Sequence, residues 1–211
     1  STLNGTVTNA GTGTIQLVNL NSPTTLTVAN GFTNAGLLDL QNAGGGNPTT
    51  FNVSAGTLTN SGTVRASGAG AGPITLNAPF TNTSTGTLDV SNSLSVTNTA
   101  RTLDLSVGTL NLATGKTLTV SGGTTKLDGA TLTGSGARTL TLTGTNTLDV
   151  VNNWTLPSGG FVVNQSGTAT LTSSNVSGAT LTVPGGDTLN LTGATVNANV
   201  RRTTVTPGAI V

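Results

Sequence analysis

Apolar and polar residues alternate in short segments along this chain, most clearly between Thr102 and Val120. There the pattern Thr-Leu-x-[Leu/Val] occurs three times, with its leucines at Leu103, Leu110 and Leu118. Alternation with a period of two is typical of a β-strand that buries one face. The intervening segments, Ser-Val-Gly and Ala-Thr-Gly, contain turn-forming residues. The stretch therefore predicts three short strands joined by tight corners.

The apolar pattern returns after about 22 residues, and a fixed period of about 20–50 residues is typical of repeat proteins. A helical repeat would need apolar residues three and four positions apart. This chain has no Glu and is rich in Thr, Gly and Asn, which favours strands and turns. Two columns of inward-facing residues follow from the period. The first predicted core column is Ile74, Val96, Leu118, Leu140 and Val162, and the second is Leu88, Leu110, Leu132, Trp154 and Val176.

The period predicts an all-β fold, a parallel β-helix (β-solenoid) with about 22 residues and three short strands in each full turn, here called a coil. At this period the 211 residues form roughly 9–10 coils. We expect residues 1–200 to form a single β-solenoid domain. Residues 201–211 form a C-terminal tail that caps the last coil, adds an edge strand to a neighbouring molecule or belongs to a longer repeat. The residues of a possible inter-subunit strand are Arg201, Arg202, Val205 and Ile210.

A corner motif recurs in the first third of the chain as VTNAG, FTNAG, LTNSG and FTNTS. It places Asn9, Asn34, Asn60 and Asn82 at equivalent corners of successive coils. Asn tolerates the left-handed backbone of a corner, and its amide can bond to nearby groups. The motif therefore predicts a ladder of stacked, hydrogen-bonded amides. The Gly-rich runs at 42–48 and 67–73 are predicted to be loops inserted at corners, where a solenoid accepts extra residues.

Outward positions beside the first core column are mostly Thr and Ser, and the period arranges them as a three-by-three array on one flat face. Thr fits exposed strands, and stacked Thr side chains bond to one another, so the array has a purely structural interpretation. Two further interpretations stay open: the array matches an ordered surface such as ice, or it packs laterally against a neighbouring rod. The array is Ser95, Thr97, Thr99, Thr117, Thr119, Ser121, Thr139, Thr141 and Thr143.

Chemically reactive residues are few. Four aspartates occur in Leu-Asp-[Leu/Val] segments and are expected to face outward without sharing one column: Asp39, Asp89, Asp104 and Asp149. No calcium-loop motif accompanies them, so no metal site is expected. The chain lacks His, Cys, Glu and Tyr, which argues against acid–base, thiol and zinc catalysis. Trp154 is expected to fill the core, unless the register slips by one residue before it and exposes the ring to sugars.

Composition narrows the possible partners. Charged residues make up 6% of the chain and the net charge is +1, so the basic footprint of a nucleic-acid-binding protein is missing. No run of apolar residues approaches the length of about 18 that a membrane-spanning helix needs. With no Cys, disulfides are excluded. The chain starts at Ser1 in repeat-like sequence, as expected for a processed chain or an excised fragment.

The Thr-Asn-x-Gly corners, the Gly-Thr-Leu-x-[Leu/Val] strands and the low charge resemble the repeats of bacterial secreted adhesins, over about residues 1–200. The similar proteins are filamentous-haemagglutinin-like proteins and autotransporter passengers. The resemblance implies a right-handed β-helix, secretion to the cell surface or medium, a stalk-like or filamentous role, and contact with host, cell-surface or polysaccharide surfaces.

The sequence thus predicts a non-enzymatic structural protein, a subunit or stalk segment of an extracellular filament or adhesin. A solenoid ends in open coils, so either capping elements lie in further sequence or the ends pair with another copy. We expect the second, a head-to-tail stack of copies of this chain. An ice-binding solenoid is the alternative function, and a polysaccharide-acting β-helix enzyme with paired carboxylates is less favoured. No cofactor is expected.

Overall fold

The computed structural model describes residues 1–127, 130–150, 154–156 and 159–172, and in the C-terminal part 180–183, 188–191, 195–196, 199–202 and 209–210. Within these ranges the chain forms parallel β-strands and turns, and no helix. The strands stack in three columns that form the three faces of a β-solenoid. The all-β, parallel β-solenoid fold predicted from the sequence is therefore confirmed.

The first face carries the longest column of strands. Its strands are β1 (Thr2–Leu3), β3 (Thr24–Val28), β6 (Thr49–Val53), β9 (Ile74–Asn77), β12 (Leu94–Thr97), the first halves of β15 (Thr117–Leu127) and β17 (Arg138–Asp149), β19 (Phe161–Gln165), β22 (Thr188–Leu191) and β25 (Ala209–Ile210). The second face consists of β4 (Phe32–Asn34), β7 (Leu58–Asn60), β10 (Phe80–Asn82), β13 (Thr102–Leu105), the second halves of β15 and β17, β20 (Thr168–Thr172) and β23 (Thr195–Val196).

The third face is divided into two sheets among the described strands. The first is six-stranded and contains β2 (Thr14–Asn19), β5 (Leu37–Asn42), β8 (Thr63–Ser67), β11 (Thr87–Val90), β14 (Thr109–Leu112) and β16 (Thr131–Thr133). The second is three-stranded and contains β18 (Trp154–Thr155), β21 (Thr180–Val183) and β24 (Asn199–Arg202).

Successive coils have unequal lengths. From β1 to β19 the chain makes about seven coils of roughly 23 residues, and β22 and β25 extend the same column. The first coils are longer than this average: Thr2 pairs with Thr27 and Leu26 with Phe51, and each pair is 25 residues apart. The extra residues lie at corners, as expected for 42–48 and 67–73, which fall between a third-face strand and the next first-face strand.

Inward-facing Leu, Val, Ile and Phe side chains make one continuous core along the axis. Phe51, Leu88 and Leu118 are all completely buried, on different coils. Each such side chain contributes about 1.5–3 kcal/mol when it is removed from water. The core therefore holds adjacent coils together as well as the three faces of a coil.

The first predicted core column is wrong in its register at Val96. Ile74 pairs with Leu94, and Leu94 pairs with Leu118, so a coil shorter than the predicted period is followed by a longer one. Val96 pairs instead with Val120. Because side chains alternate with a period of two, a shift of two positions changes the partner but keeps the side chain inside. Val96 is therefore buried, as expected, but belongs to the neighbouring column.

The same predicted column is wrong in another way at Val162. Leu118 and Leu140 pair as predicted, but the next coil is longer by a single residue, so Leu140 pairs with Val163. This odd shift turns Val162 to the outer side, where it is half-buried and pairs with Thr139. One additional residue in a coil thus reverses the face of a side chain.

The second predicted core column is confirmed over its first three members. Leu88 pairs with Leu110 and Leu110 with Leu132, and the first two are fully buried. Leu132 is partly buried against the core. Trp154 pairs with Leu181 in the separate three-stranded sheet, and the surroundings of its side chain are outside the described part. Val176 lies outside the described residues.

The predicted asparagine ladder is confirmed. The Nδ2 of Asn9 donates to the Oδ1 of Asn34 at 2.6 Å, Asn34 donates to Asn60 at 2.8 Å, and Asn60 donates to Asn82 at 2.8 Å. All four side chains are buried. Each also donates to the backbone carbonyl of the first residue of a third-face strand, such as that of Thr87 for Asn60. The ladder thus satisfies the polar groups of a buried corner.

Candidate contact surface

Outward positions of the first face carry the predicted array of hydroxyl groups. Two of its three rows, one on β15 and one on β17, lie in the predicted register, and their side chains are half-buried on the outer side. The paired residues are Thr117 with Thr139, Thr119 with Thr141, and Ser121 with Thr143.

The third row is displaced from its predicted position. Ser95 pairs with Thr119 and Thr97 pairs with Ser121, each two positions from the expected partner. Thr99 lies in the turn after β12 and has no place in the strand array. The cause is the unequal lengths of the coils on either side of β12, the first short and the second long, which shift this strand by two positions. Instead of a regular three-by-three array, the structure therefore gives two columns of three hydroxyls and the separate pair Thr117 and Thr139.

The central column extends further toward the amino terminus than the sequence pattern indicated. Thr25 pairs with Thr50, Thr50 with Thr75, and Thr75 with Ser95. The signal was present in the similar segments TTLTV (24–28) and TTFNV (49–53), which are spaced more widely than the predicted period. Hydroxyl side chains thus continue in one column from β3 to β17.

A second outward column on the first face is linked by hydrogen bonds. Asn52 donates to Thr27 Oγ1 at 3.2 Å, and Asn77 donates to Asn52 Oδ1 at 3.2 Å. Arg101, from the corner after β12, donates through Nη1 to Asn77 Oδ1 at 2.7 Å. These hydrogen bonds run along the axis, so the coils from β3 to β12 are connected to one another on the outside as well.

The third face carries a polar column with alternating charges. Its members pair in register across the six-stranded sheet: Gln16, Asp39, Arg65, Asp89, Asn111 and Thr133. Asp39 and Asp89 therefore share a column, contrary to the sequence prediction, but Arg65 lies between them. Since opposite charges face each other on adjacent strands, the arrangement avoids repulsion between carboxylates.

Hydrogen bonds occupy the carboxylates of this column. Arg65 Nε forms an ion pair with Asp89 Oδ2 at 2.7 Å, and Asn111 and Ser91 both donate to Asp89 Oδ1 at 2.8 Å. The side chain of Arg65 is 40% exposed and that of Asp89 is 11% exposed, so the pair is partly screened by water and contributes about 0.2–1 kcal/mol. Asp39 accepts from Ser67 Oγ at 2.6 Å.

The second face shows the same charge order further along the axis. Asp104 pairs with Lys126, and Lys126 with Asp149. Asp104 Oδ1 accepts hydrogen bonds from the backbone amide and the hydroxyl of Ser106, at 3.0 and 2.6 Å. Both charged columns thus follow the order acidic, basic, acidic.

The C-terminal segment contains strands that pair within the chain. Arg201 and Arg202 lie in β24, which pairs with β21. Ile210 lies in β25 and pairs with Leu189 of β22. Val205 lies outside the described residues.

Among the residues that the structure describes, no group of three or more His, Cys, Asp or Glu side chains is placed to hold a metal ion. A shallow depression lies at the corner between the first and second faces in the early coils. Its lining is uncharged: Asn30, Gly31, Phe32, Thr33, Ala55, Gly56, Thr57 and Thr59. Nor do the described residues include a helix able to cross a membrane.

Comparison with known proteins found no match among family models, curated proteins or solved structures.

Proposed function

We propose that this chain is a structural spacer, a subunit or stalk segment of an extracellular filament or cell-surface adhesin. The observation that carries the proposal is the continuous core, which runs through about seven stacked coils without interruption. At about 4.8 Å for each stacked strand, these coils span roughly 34 Å along the axis. The length of such a fold is determined by its number of stacked coils, so it is suited to holding two parts of an assembly at a fixed distance.

End-to-end stacking is the proposed mode of assembly. Among the described strands, β1 pairs only with β3 and β2 only with β5, so one edge of each is unpaired. Leu3 and Leu20 lie at this end and are 41% and 63% exposed. Backbone groups on an unpaired edge are a template for another strand, and a head-to-tail contact of this type generates a filament.

Negative-stain electron microscopy across a range of protein concentrations tests the end-to-end contact. We expect rods whose length increases with concentration. Leu3→Lys should shorten them, because it places a charge at the contact. Val107→Lys is the matched control, since Val107 is 42% exposed but lies on the side of the solenoid. Separate, short particles at every concentration would contradict end-to-end assembly.

We also propose that the protein is not an enzyme. The hydrogen bonds of its carboxylates support this. Asp39, Asp89 and Asp104 each accept a hydrogen bond from a neighbouring side chain, which gives these carboxylates a structural role. Turnover of acidic or neutral polysaccharides that disappears in Asp89→Asn would contradict the proposal.

The extracellular location is proposed from the resemblance of the repeats to secreted adhesins, and localisation of the tagged full-length protein in its native cell tests it.

Ice binding is a second candidate function, favoured by the in-register rows on β15 and β17. Regularly spaced hydroxyls on a flat, rigid face can order water. Measurement of thermal hysteresis and of ice-crystal shape at high protein concentration tests this use of the face. Normal crystals and no hysteresis would exclude it.

A further inference from the structure

The outer side of the first face differs from the other two faces in its charge. From β3 to β17 its two outward columns contain only hydroxyl and amide side chains. The columns are Thr25, Thr50, Thr75, Ser95, Thr119 and Thr141, and beside them Thr27, Asn52, Asn77, Thr97, Ser121 and Thr143. We call these twelve residues the neutral face.

Most charged side chains of the neighbouring strands lie on the other two faces. Arg65 and Asp89 are on the third face, and Lys126 is on the second. Two cations come closer: Arg101 donates to Asn77 of the neutral face, and Lys116, directly before β15, is half-buried and donates to Asn92. Arg138 of β17 is buried. Covering a charged face would remove ions from water at a cost of several kcal/mol for each unpaired ion, whereas covering the neutral face removes none from its twelve positions. The neutral face is therefore the side of the solenoid that is least costly to cover.

We propose that the neutral face binds the neutral face of a second copy of this chain, so that two solenoids pack side by side. The inference rests on the proposed structural function and adds a lateral contact to the end-to-end one. A hydroxyl both donates and accepts hydrogen bonds, so two identical hydroxyl surfaces can satisfy each other. A surface made only of donors or only of acceptors could not.

The repeat along the axis identifies the occupant as a second copy. The hydroxyls recur once for each coil, at the strand spacing of about 4.8 Å. A partner can match all the coils only if its own groups have the same spacing, and a second copy has that spacing by construction. Aromatic rings, on which sugars stack, are absent from the twelve positions, and Phe32, Phe51, Phe80 and Phe161 are buried in the core. This favours a protein copy over a glycan.

The dimensions predict a weak contact. Six strands at about 4.8 Å, each roughly 10–14 Å wide, give a face of roughly 300–400 Å² on each copy, or about 600–800 Å² in total. Stable complexes bury about 1,200–2,000 Å². Pairing of single chains should therefore need concentrations near the millimolar range. In an array of many coils, linked contacts strengthen one another without any new type of contact.

Site-specific cross-linking tests the inference, because the chain has no Cys of its own. Thr75→Cys on β9 places a thiol near the middle of the neutral face, where it meets its own copy in either relative orientation. Thr81→Cys on β10 is the matched control: it is a half-buried Thr of the same coil, on the second face. Packed sheets lie about 10 Å apart, so a bismaleimide of that span is the reagent.

We expect the cross-linked dimer fraction of Thr75→Cys to exceed that of Thr81→Cys at least five-fold near millimolar protein. Adding Thr119→Lys and Thr141→Lys to the Thr75→Cys chain should reduce its fraction to the control level, and circular dichroism checks that this variant folds. Equal fractions for the two single-Cys variants would overturn the inference, whatever the lysine variant does. Long rods without selective cross-linking would contradict only the lateral contact, and selective cross-linking without rods would contradict only the end-to-end one.

Discussion

Asparagine side chains lie both inside and outside this solenoid, and their surroundings differ in consequence. Asn34 and Asn60 are completely buried, and each donates to the next amide and to backbone carbonyls. Asn52 bonds in a similar way but on the outer face, where water can replace its partners. Because an unpaired polar group is costly only when it is buried, the inner ladder should contribute far more to stability.

Replacing Asn60 tests this difference. Asn60→Ala removes its bonds to Asn34, Asn82 and Thr87, and we expect it to lower the free energy of unfolding by about 2–4 kcal/mol. Asn52→Ala on the outer face should cost less than about 1 kcal/mol. Urea unfolding followed by circular dichroism measures both. Equal losses would show that the ladder bonds do not depend on burial.

At the scale of the strands, a single strand can continue from one face to the next where glycine allows the backbone to bend at the corner. β15 belongs to both the first and the second face, and it bends at Gly122 and Gly123, whose φ values are +76° and +67°. Few other residues adopt this conformation without strain. A Cβ at Gly123 would also lie 2.0 Å from the carbonyl oxygen of Asn98 on the preceding coil. The bend therefore requires glycine for its backbone conformation and for its close packing.

Gly123→Ala should lower the free energy of unfolding by about 1–3 kcal/mol or more, since the methyl group meets backbone that cannot move freely. Gly46→Ala is the control, because nothing lies within 4 Å of a Cβ at that position. It should change the free energy by less than about 0.5 kcal/mol. Thermal or urea unfolding of the two variants makes the comparison, and a similar effect of both would contradict the account of the bend.

In the charged columns, attraction between opposite charges on adjacent strands stabilises the sheet. Arg65→Glu would place three carboxylates on consecutive strands, at Asp39, position 65 and Asp89. We expect a loss of roughly 1–3 kcal/mol at low salt. Since about 1 M salt shortens the screening length to about 3 Å, much of this loss should disappear there. Arg65→Met lacks the added charge and should show a smaller dependence on salt. The urea midpoint at both salt concentrations is the measurement, and a salt-independent loss in Arg65→Glu would contradict repulsion as its cause.

The sequence pattern predicted which residues face inward better than it predicted which residues meet. Ile74, Leu88 and Leu118 were assigned to the core correctly because alternation is a property of each strand alone. The partner of Ile74 and the side of Val162 were wrong, since register depends on the length of every corner between two strands. A corner can gain or lose residues without any mark in the alternation of the strands.

The prediction of surface columns also depends on the length of each coil. The rows on β15 and β17 were predicted correctly, because the coil between them keeps the predicted period. The row on β12 was displaced by two positions, and Asp39 was not predicted to share a column with Asp89. A single average period describes neither case, because the coils differ in length. To predict which residues share a column, the strand pairing of each coil must be known separately.

At the scale of the whole molecule, the unequal coils still form one regular stack. Each coil contacts only its neighbours, so a coil is a unit that can be removed if the register of the remaining strands is kept. Ile74 and Leu94 occupy equivalent positions in adjacent coils. Deleting residues 74–93 removes β9, β10 and β11 and joins Pro73 to Leu94. β12 then takes the place of β9 on β6, with its inward residues still facing the core.

We expect the chain with this deletion to fold as a solenoid shorter by one coil, or about 4.8 Å along the axis, which small-angle X-ray scattering can measure. Deleting residues 74–92 instead is the control. It leaves Ser93 in the place of Ile74, so every inward side chain of β12 turns outward unless the corner rearranges. This variant should lose its cooperative unfolding transition or its β-sheet circular dichroism. If the two deletions fold equally well, register is not what holds the coils in place, and the core columns would have to be regarded as a consequence of stacking rather than its cause.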